Sequence, residues 1–191
     1  MAKVYDGIDA DMAAWIARQP LFFVATAPLA ADGLVNLSPK GETGTFRVVD
    51  AHTFAYLDLT GSGIETVAHL RENGRVCVMF CAFDGKPKIV RLHGAGRVVT
   101  VDDPGFEEAL AGFGEAARSR RAYLRAVVVV DVARVADACG YGVPRMDLVE
   151  DRPTLDAVWG SRDDDRIAAY QAQKNATSLD GLPGLAPAGR G

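Results

Sequence analysis

Residues 54–83 read FAYLDLTGSGIETVAHLRENGRVCVMFCAF, and their pattern divides into strand, glycine-flanked turn, short helix and strand. Gly61-Ser62-Gly63 lets backbone approach a ligand closely. The helix that follows has Ile64, Val67, Ala68 and Leu70 as its apolar stripe and Asn73-Gly74 as its stop. It points its unpaired N–H groups back at the turn, which makes the segment an anion cradle. Ser62 and Glu65 also have the S-x-x-E spacing of a capping box, in which each side chain satisfies an orphan N–H of the first helical turn. The same residues thus suit either a capped helix or a phosphate site.

Outward from this stretch the chain offers successive strands. Asp9 caps a predicted helix through about Gln19, with Met12, Trp15 and Ile16 at helical spacing and Pro20 as its end. Leu21–Ala27 and the segment around Leu34–Ser38 read as strands joined by the turn-rich PLAADG. In LVNLSPKG, Leu34, Asn36 and Ser38 share one face and Val35 and Leu37 the other, so a polar row ending at Lys40 faces something other than the core. Thr45–Val49 and Thr53–Leu59 are the next strands. After the helix, Arg75–Phe83 is almost continuously apolar, as expected of a strand covered on both faces. Lys88–Val101 sets Arg91, His93 and Arg97 against Val90, Leu92 and Val98, with Gly94 and Gly96 where a long strand can bulge. A short helix over Pro104–Phe113, capped by Asp102 or Asp103, precedes the last strong strand, Ala126–Val135.

The chain has 191 residues, 49% hydrophobic and 24% charged, enough to bury one substantial core. We expect a domain over residues 1–137 and, over 138–191, a loop, a polar helix from about Ser161 to Asn175 and a tail. The spacing of Leu179, Leu182 and Leu185 suits anchors on the domain or on a partner subunit. A formal net charge of -4 supplies no basic field for nucleic acid. Cys77, Cys81 and Cys139 read as thiols of a reducing compartment, without the spacing of a metal site. With no apolar leader in MAKVYDGIDADM and no membrane span, the expected location is cytoplasmic.

Two architectures compete for the central turn. Gly61-x-Gly63 between strand and helix, with Asp84 about twenty residues on, outlines a dinucleotide-binding fingerprint. Its context refuses that fold, because Thr66 fills the third small position and the flanks do not alternate strand and helix. Hairpins with few intervening helices imply an antiparallel barrel of about six strands with helices at its rim, a mainly β, α+β fold.

The runs VNLSPKG, FAYLDLTGSGIETVAHLRENGRVCVMF and KIVRLHGAGRV resemble the pyridoxamine 5'-phosphate oxidase-related, FMN-binding split-barrel family over about residues 20–135. The resemblance implies a six-stranded split barrel, FMN as cofactor with its phosphate at the turn and following helix, and a homodimer that shares the cofactor at its interface. Lys40 stands at a family lysine that would meet phosphate as a point charge, and Thr60 at a family threonine. Gly61, Ser62, Gly63 and Thr66 lie on the turn and first helical turn. Asn36 and Ser38 on the polar row and Arg91 on the long strand complete the candidate cofactor-binding set.

Two departures from the oxidase itself stand out. The oxidase has a serine-arginine-lysine cluster at this helix start, where this chain has Ile64-Glu65-Thr66. We therefore expect Glu65 to fold back as the capping partner, leaving Lys40 and Arg91 to supply phosphate charge. The arginine- and tryptophan-bearing C-terminal region that builds the vitamin B6 site is replaced by CGYGVP, a polar helix and a Leu-Pro-Gly tail. The implied function is an FMN-dependent oxidoreductase of undefined substrate, drawing on NAD(P)H or another reduced donor, with catalytic residues unassigned. A non-catalytic flavin- or haem-binding module and a deazaflavin-dependent reductase of the same fold are the other readings. Tyr141 and Trp159 are candidates to stack on a flavin ring, and His69, one turn after Glu65, reads as its surface partner.

Overall fold

The computed structural model describes residues 3–185. Its strands are β1 (Lys3–Tyr5), β2 (Leu21–Thr26), β3 (Asn36–Gly41), β4 (Phe46–Asp50), β5 (Thr53–Leu59), β6 (Arg75–Cys81), β7 (Ile89–Thr100) and β8 (Leu124–Ala138). The helices are α1 (Ala10–Ala17), α2 (Glu65–Asn73), α3 (Phe106–Leu110), α4 (Gly114–Ser119), α5 (Thr154–Trp159) and α6 (Asp164–Lys174). One antiparallel sheet runs in the order β3-β2-β6-β7-β8-β5-β4, with β1 added to β8. The eight strands replace the expected six; β1 is three residues long and too short to show a period.

The sheet curls hard. Phe22 on β2 and Phe54 on β5 lie four strand spacings apart, about 19 Å in a flat sheet, yet their rings are 5.6 Å apart. Phe22 also meets Phe46 and Tyr56, at 5.0 and 5.4 Å. These aromatics, with Val24, Val78, Leu92, Val128 and Val130, form the inner core. Glycine permits the curl: a Cβ at Gly94, at the break in β7–β8 register, would sit 2.0 Å from the Asp131 carbonyl oxygen. The extra residue falls on β8, so its inward positions run Val128, Val130, Val132 and then Val135.

The two long apolar strands differ. Val127 and Val129 of β8 face a second core of Phe106, Leu110, Phe113 and Ala117, so the first half of β8, through Val130, is covered on both faces. On β6, by contrast, Cys77 and Met79 remain half-exposed, and the expected two-sided burial of this strand is not reached within one chain.

The short helix after β7 also departs from expectation. It starts at Phe106 without a side-chain cap, because Asp103 instead accepts the N–H and hydroxyl of Thr100. Among the described residues, no helix is long and apolar enough to cross a membrane.

Candidate functional site

A cleft of about 850 Å³ lies where β3, β5 and the start of α2 meet, within the size range of small-molecule sites. The β5–α2 turn and the polar row of β3 form one wall; residues 146–159 contribute the other.

On the turn wall, alternation along β5 sends Phe54, Tyr56 and then Asp58 inward. Asp58 is 1% exposed and held by two cations, Lys40 Nζ at 3.1 Å from Oδ1 and Arg125 Nη2 at 3.0 Å from Oδ2. Burial alone would push the Asp58 carboxyl up, but Arg125 and Lys40 overcome it and hold it below the ordinary carboxylate range. Burial next to Asp58 pushes the Tyr56 hydroxyl well above its usual value. Arg125 reaches this spot through a bulge: Asp58 pairs with Ala126 and Leu59 with Leu124, so Arg125 is the unpaired residue re-aimed toward Asp58.

Arg125 also fixes the turn. Its Nη1 donates to the carbonyls of Gly61, at 3.2 Å, and Gly63, at 2.9 Å. From the C-cap of α6, Asn175 Nδ2 donates to the same Gly61 carbonyl at 2.8 Å, and from α6 itself Gln171 Nε2 donates to Thr60 Oγ1 at 2.7 Å. In a trans peptide N–H and C=O point opposite ways. Drawing the Gly61 and Gly63 carbonyls back toward Arg125 therefore turns the N–H groups of Ser62 and Ile64 away from it.

The expected capping box is absent. Ile64 is the N-cap and contributes no side-chain bond, while Glu65, the first helical residue, accepts the Ile64 N–H at 3.0 Å. Glu65 folds back as expected, but Ser62 lies outside the helix start and is exposed. The grip of Arg125 on the turn moves the start two residues past the box. The first helical bond is Ala68 N–H to Ile64 O, so the N–H groups of Glu65, Thr66 and Val67 precede the ladder, and all three residues line the cleft.

Behind the cleft runs a polar chain. Ser38 Oγ donates to Asn36 Oδ1 at 2.8 Å, and Asn36 Nδ2 donates to Thr66 Oγ1 at 2.9 Å and Thr26 Oγ1 at 3.1 Å. Thr26 Oγ1 lies 2.9 Å from His69 Nδ1. His69 is 0% exposed, which corrects its expected role as a surface partner of Glu65.

Of the candidate residues, Ser38, Lys40, Thr60, Gly61, Gly63 and Thr66 converge on the cleft, with Asn36 directly behind Thr66. Thr60 uses both its N–H and its hydroxyl hydrogen on Tyr123 O, at 2.9 and 2.7 Å, so its donors position the turn. Ser62 is outside the lining. Arg91 is on the outer sheet face opposite Met79 and does not reach the cleft. Trp159 reaches the lining, its ring already in contact with Tyr170 and Arg162, whereas Tyr141 is exposed at a separate depression. Sequence reasoning missed Asp58, Arg125, Gln171 and Asn175. The inward parity of Asp58 on FAYLD was a usable signal; the bulge that aims Arg125 left none.

The loop wall is lighter. Met146 N–H donates to Phe83 O at 2.9 Å, and Asp151 Oδ2 accepts the Thr43 hydroxyl at 2.9 Å. Glu42, with φ of 76°, is the only non-glycine with positive φ among the described residues. Burial pushes the Glu42 carboxyl up despite Arg120 at 3.1 Å, which also reaches Asp156.

A curled antiparallel sheet with a helix start opening into a cleft at its rim defines a mainly β protein of the split-barrel kind. A sequence profile described as pyridoxamine 5'-phosphate oxidase matches residues 8–139. The chain is 39% identical to the pyridoxamine 5'-phosphate oxidase family protein ustO of Aspergillus flavus over 199 aligned positions, covering 97% of this chain and 78% of that protein. It belongs to the pyridoxamine 5'-phosphate oxidase family. Among solved structures, it is similar to the conserved hypothetical protein Rv2991 of Mycobacterium tuberculosis (TM-score 0.49, 18% identity, 76% of this chain and 96% of that one). An FMN-binding protein of Syntrophomonas wolfei gives TM-score 0.49 at 12% identity, covering 66% of this chain and 81% of that one.

Proposed function

We propose that the protein is an FMN-binding flavoprotein that acts as an oxidoreductase, with NAD(P)H or another small reduced molecule as electron donor. The observation that carries this reading is the uncapped start of α2, opening into the 850 Å³ cleft beside Lys40 and Arg125. The two cations share the single Asp58 carboxylate, and their remaining positive charge stands beside three N–H groups of the first helical turn, with the Glu65 carboxylate as counter-charge. A phosphate is the group such a pole suits. Lys40, Thr66 and the backbone of residues 63–67 would hold it, with Thr60 and Arg125 fixing the turn. Bound flavin supplies hydride and electron transfer; the protein supplies position and field.

A homodimer belongs to the same reading. The outer faces of β3, β2, β6 and β7 present an exposed Leu37 and the half-buried Phe23, Ala25, Cys77 and Met79, beside Arg91 and His93. His93 Nδ1 is buried without a partner among the described residues. A second copy seated there would complete the two-sided burial that the β6 sequence calls for, and would put Arg91 at the subunit boundary. The test is purification followed by absorption and mass spectrometry of the released ligand. A yellow protein absorbing at about 450 nm that releases FMN, and is bleached by NADPH or NADH, is the expected outcome. Colourless protein that takes up no FMN on reconstitution would overturn it.

A further inference from the structure

Glu65 sits where an anion belongs. Its Oε2 accepts the Ile64 N–H at 3.0 Å and lies 2.9 Å from where a Cβ on Gly63 would stand. The Gly63–Ile64 peptide has its carbonyl on Arg125 and its N–H on Glu65, so the two side chains lie at opposite edges of one peptide plane. The carboxylate is thus on the side of the turn that the Arg125 grip turns outward, beside the unpaired N–H groups of Glu65, Thr66 and Val67. A second observation marks this wall as built for charge: Arg125, 3% exposed and lining the same cleft, has an Nε without a partner among the described residues.

We propose that Glu65 is an internal anion that occupies the pole of α2, and that it sets how strongly the cleft distinguishes phosphorylated from unphosphorylated ligands. The inference rests on the flavin reading for the identity of the ligand, but not for the competition itself. A phosphate dianion approaching the Ile64–Val67 N–H groups meets the Glu65 carboxylate within the same first helical turn, where opposite charge is favoured and like charge is not. Binding such a group requires the Glu65 side chain to swing out into the cleft, where its neighbours include Lys40 and Thr66. Glu65 then acts as a specificity-determining residue: the ribityl and ring portions of a flavin bind irrespective of it, while the phosphate contributes only after displacing it.

The experiment measures FMN and riboflavin affinity for the full-length protein and for Glu65→Gln and Glu65→Ala. Glu65→Gln keeps an acceptor for the Ile64 N–H and so preserves the helix start, while removing the charge. FMN affinity is expected to rise about tenfold in both variants while riboflavin affinity stays within about twofold. An FMN-to-riboflavin ratio unchanged in both variants would overturn the inference. If no variant binds either flavin, the flavin reading fails by itself, and inorganic phosphate becomes the probe. Amide NMR shifts at residues 64–67 should then saturate at lower phosphate concentration in Glu65→Gln than in the unmodified protein, and identical titrations would dismiss the internal anion.

Discussion

Asp58, Arg125, Thr60 and Asn175 on the turn wall of the cleft are all buried and joined by ion pairs or hydrogen bonds drawn from β3, β8 and α6. Across the cleft, residues 144–154 are exposed throughout and meet the barrel through Met146 and Asp151. The cleft is therefore bounded by a wall that cannot move without breaking a charge network and by one that few contacts hold in place. Preorganised donors belong on the first kind of wall, where holding them in place was achieved during folding. Access belongs to the second.

Removing the centre of the rigid wall gives the largest expected effect. Arg125→Met leaves Asp58 with Lys40 alone and strips the Gly61 and Gly63 carbonyls of their shared donor. Breaking a buried pair in this way costs about 3–5 kcal/mol, because a poorly compensated charge stays behind. Urea denaturation measures it. Arg125→Lys should recover little, since one ammonium cannot span a carboxylate and two carbonyls. A loss below about 1 kcal/mol, the worth of an exposed pair, would place the strength of this wall elsewhere.

The contrast between the walls also marks what could be read from the chain. The strands, the Gly61–Gly63 turn and the helix to Asn73 were legible because apolar alternation and glycine placement are local properties. So was the polar row of Asn36, Ser38 and Lys40, whose period of two survives in β3 as partial burial at alternate positions. The false capping box shows the limit. Ser62 and Glu65 have the right spacing, but the helix start was decided by Arg125, more than 60 positions away. Arg125 itself was hidden because a bulge cancels the alternation on which strand reading depends, and the predicted strand began one residue after it. The outer face of β6 taught the reverse lesson: its apolar run reads as a strand covered on both sides, but this chain buries only one of them.

Acid tests the rigid wall more gently. The folded-state pKa of Asp58 is depressed, so its contribution is fully present above the unfolded value, about 3.9, and is lost as pH falls through the folded value. The stability advantage of the unmodified protein over Asp58→Asn should be constant above about pH 5 and shrink below about pH 4. Unfolding midpoints at a series of pH values measure it. An advantage that grew on acidification would mean that burial outweighs the two cations at Asp58.

The loop wall should yield the smallest thermodynamic change and the clearest kinetic one. Asp151→Ala removes the carboxylate that accepts both the N–H and the hydroxyl of Thr43, at 3.4 and 2.9 Å, and both residues are exposed. Exposed contacts of this kind contribute about 0–1 kcal/mol, so the thermal midpoint should hardly move. Local opening is another matter. The exposed Arg145 precedes Met146, whose N–H bond to Phe83 is the next tether along the loop. Freed at Asp151, the segment should open more often at this second tether, and trypsin should cut after Arg145 several-fold faster in native conditions, because proteolysis follows the population of the open form. Equal cleavage rates would show that the Met146–Phe83 bond and the packing of Trp159 hold this wall without Asp151, and the division of the cleft into a rigid and a yielding side would then have to be drawn nearer to residue 143.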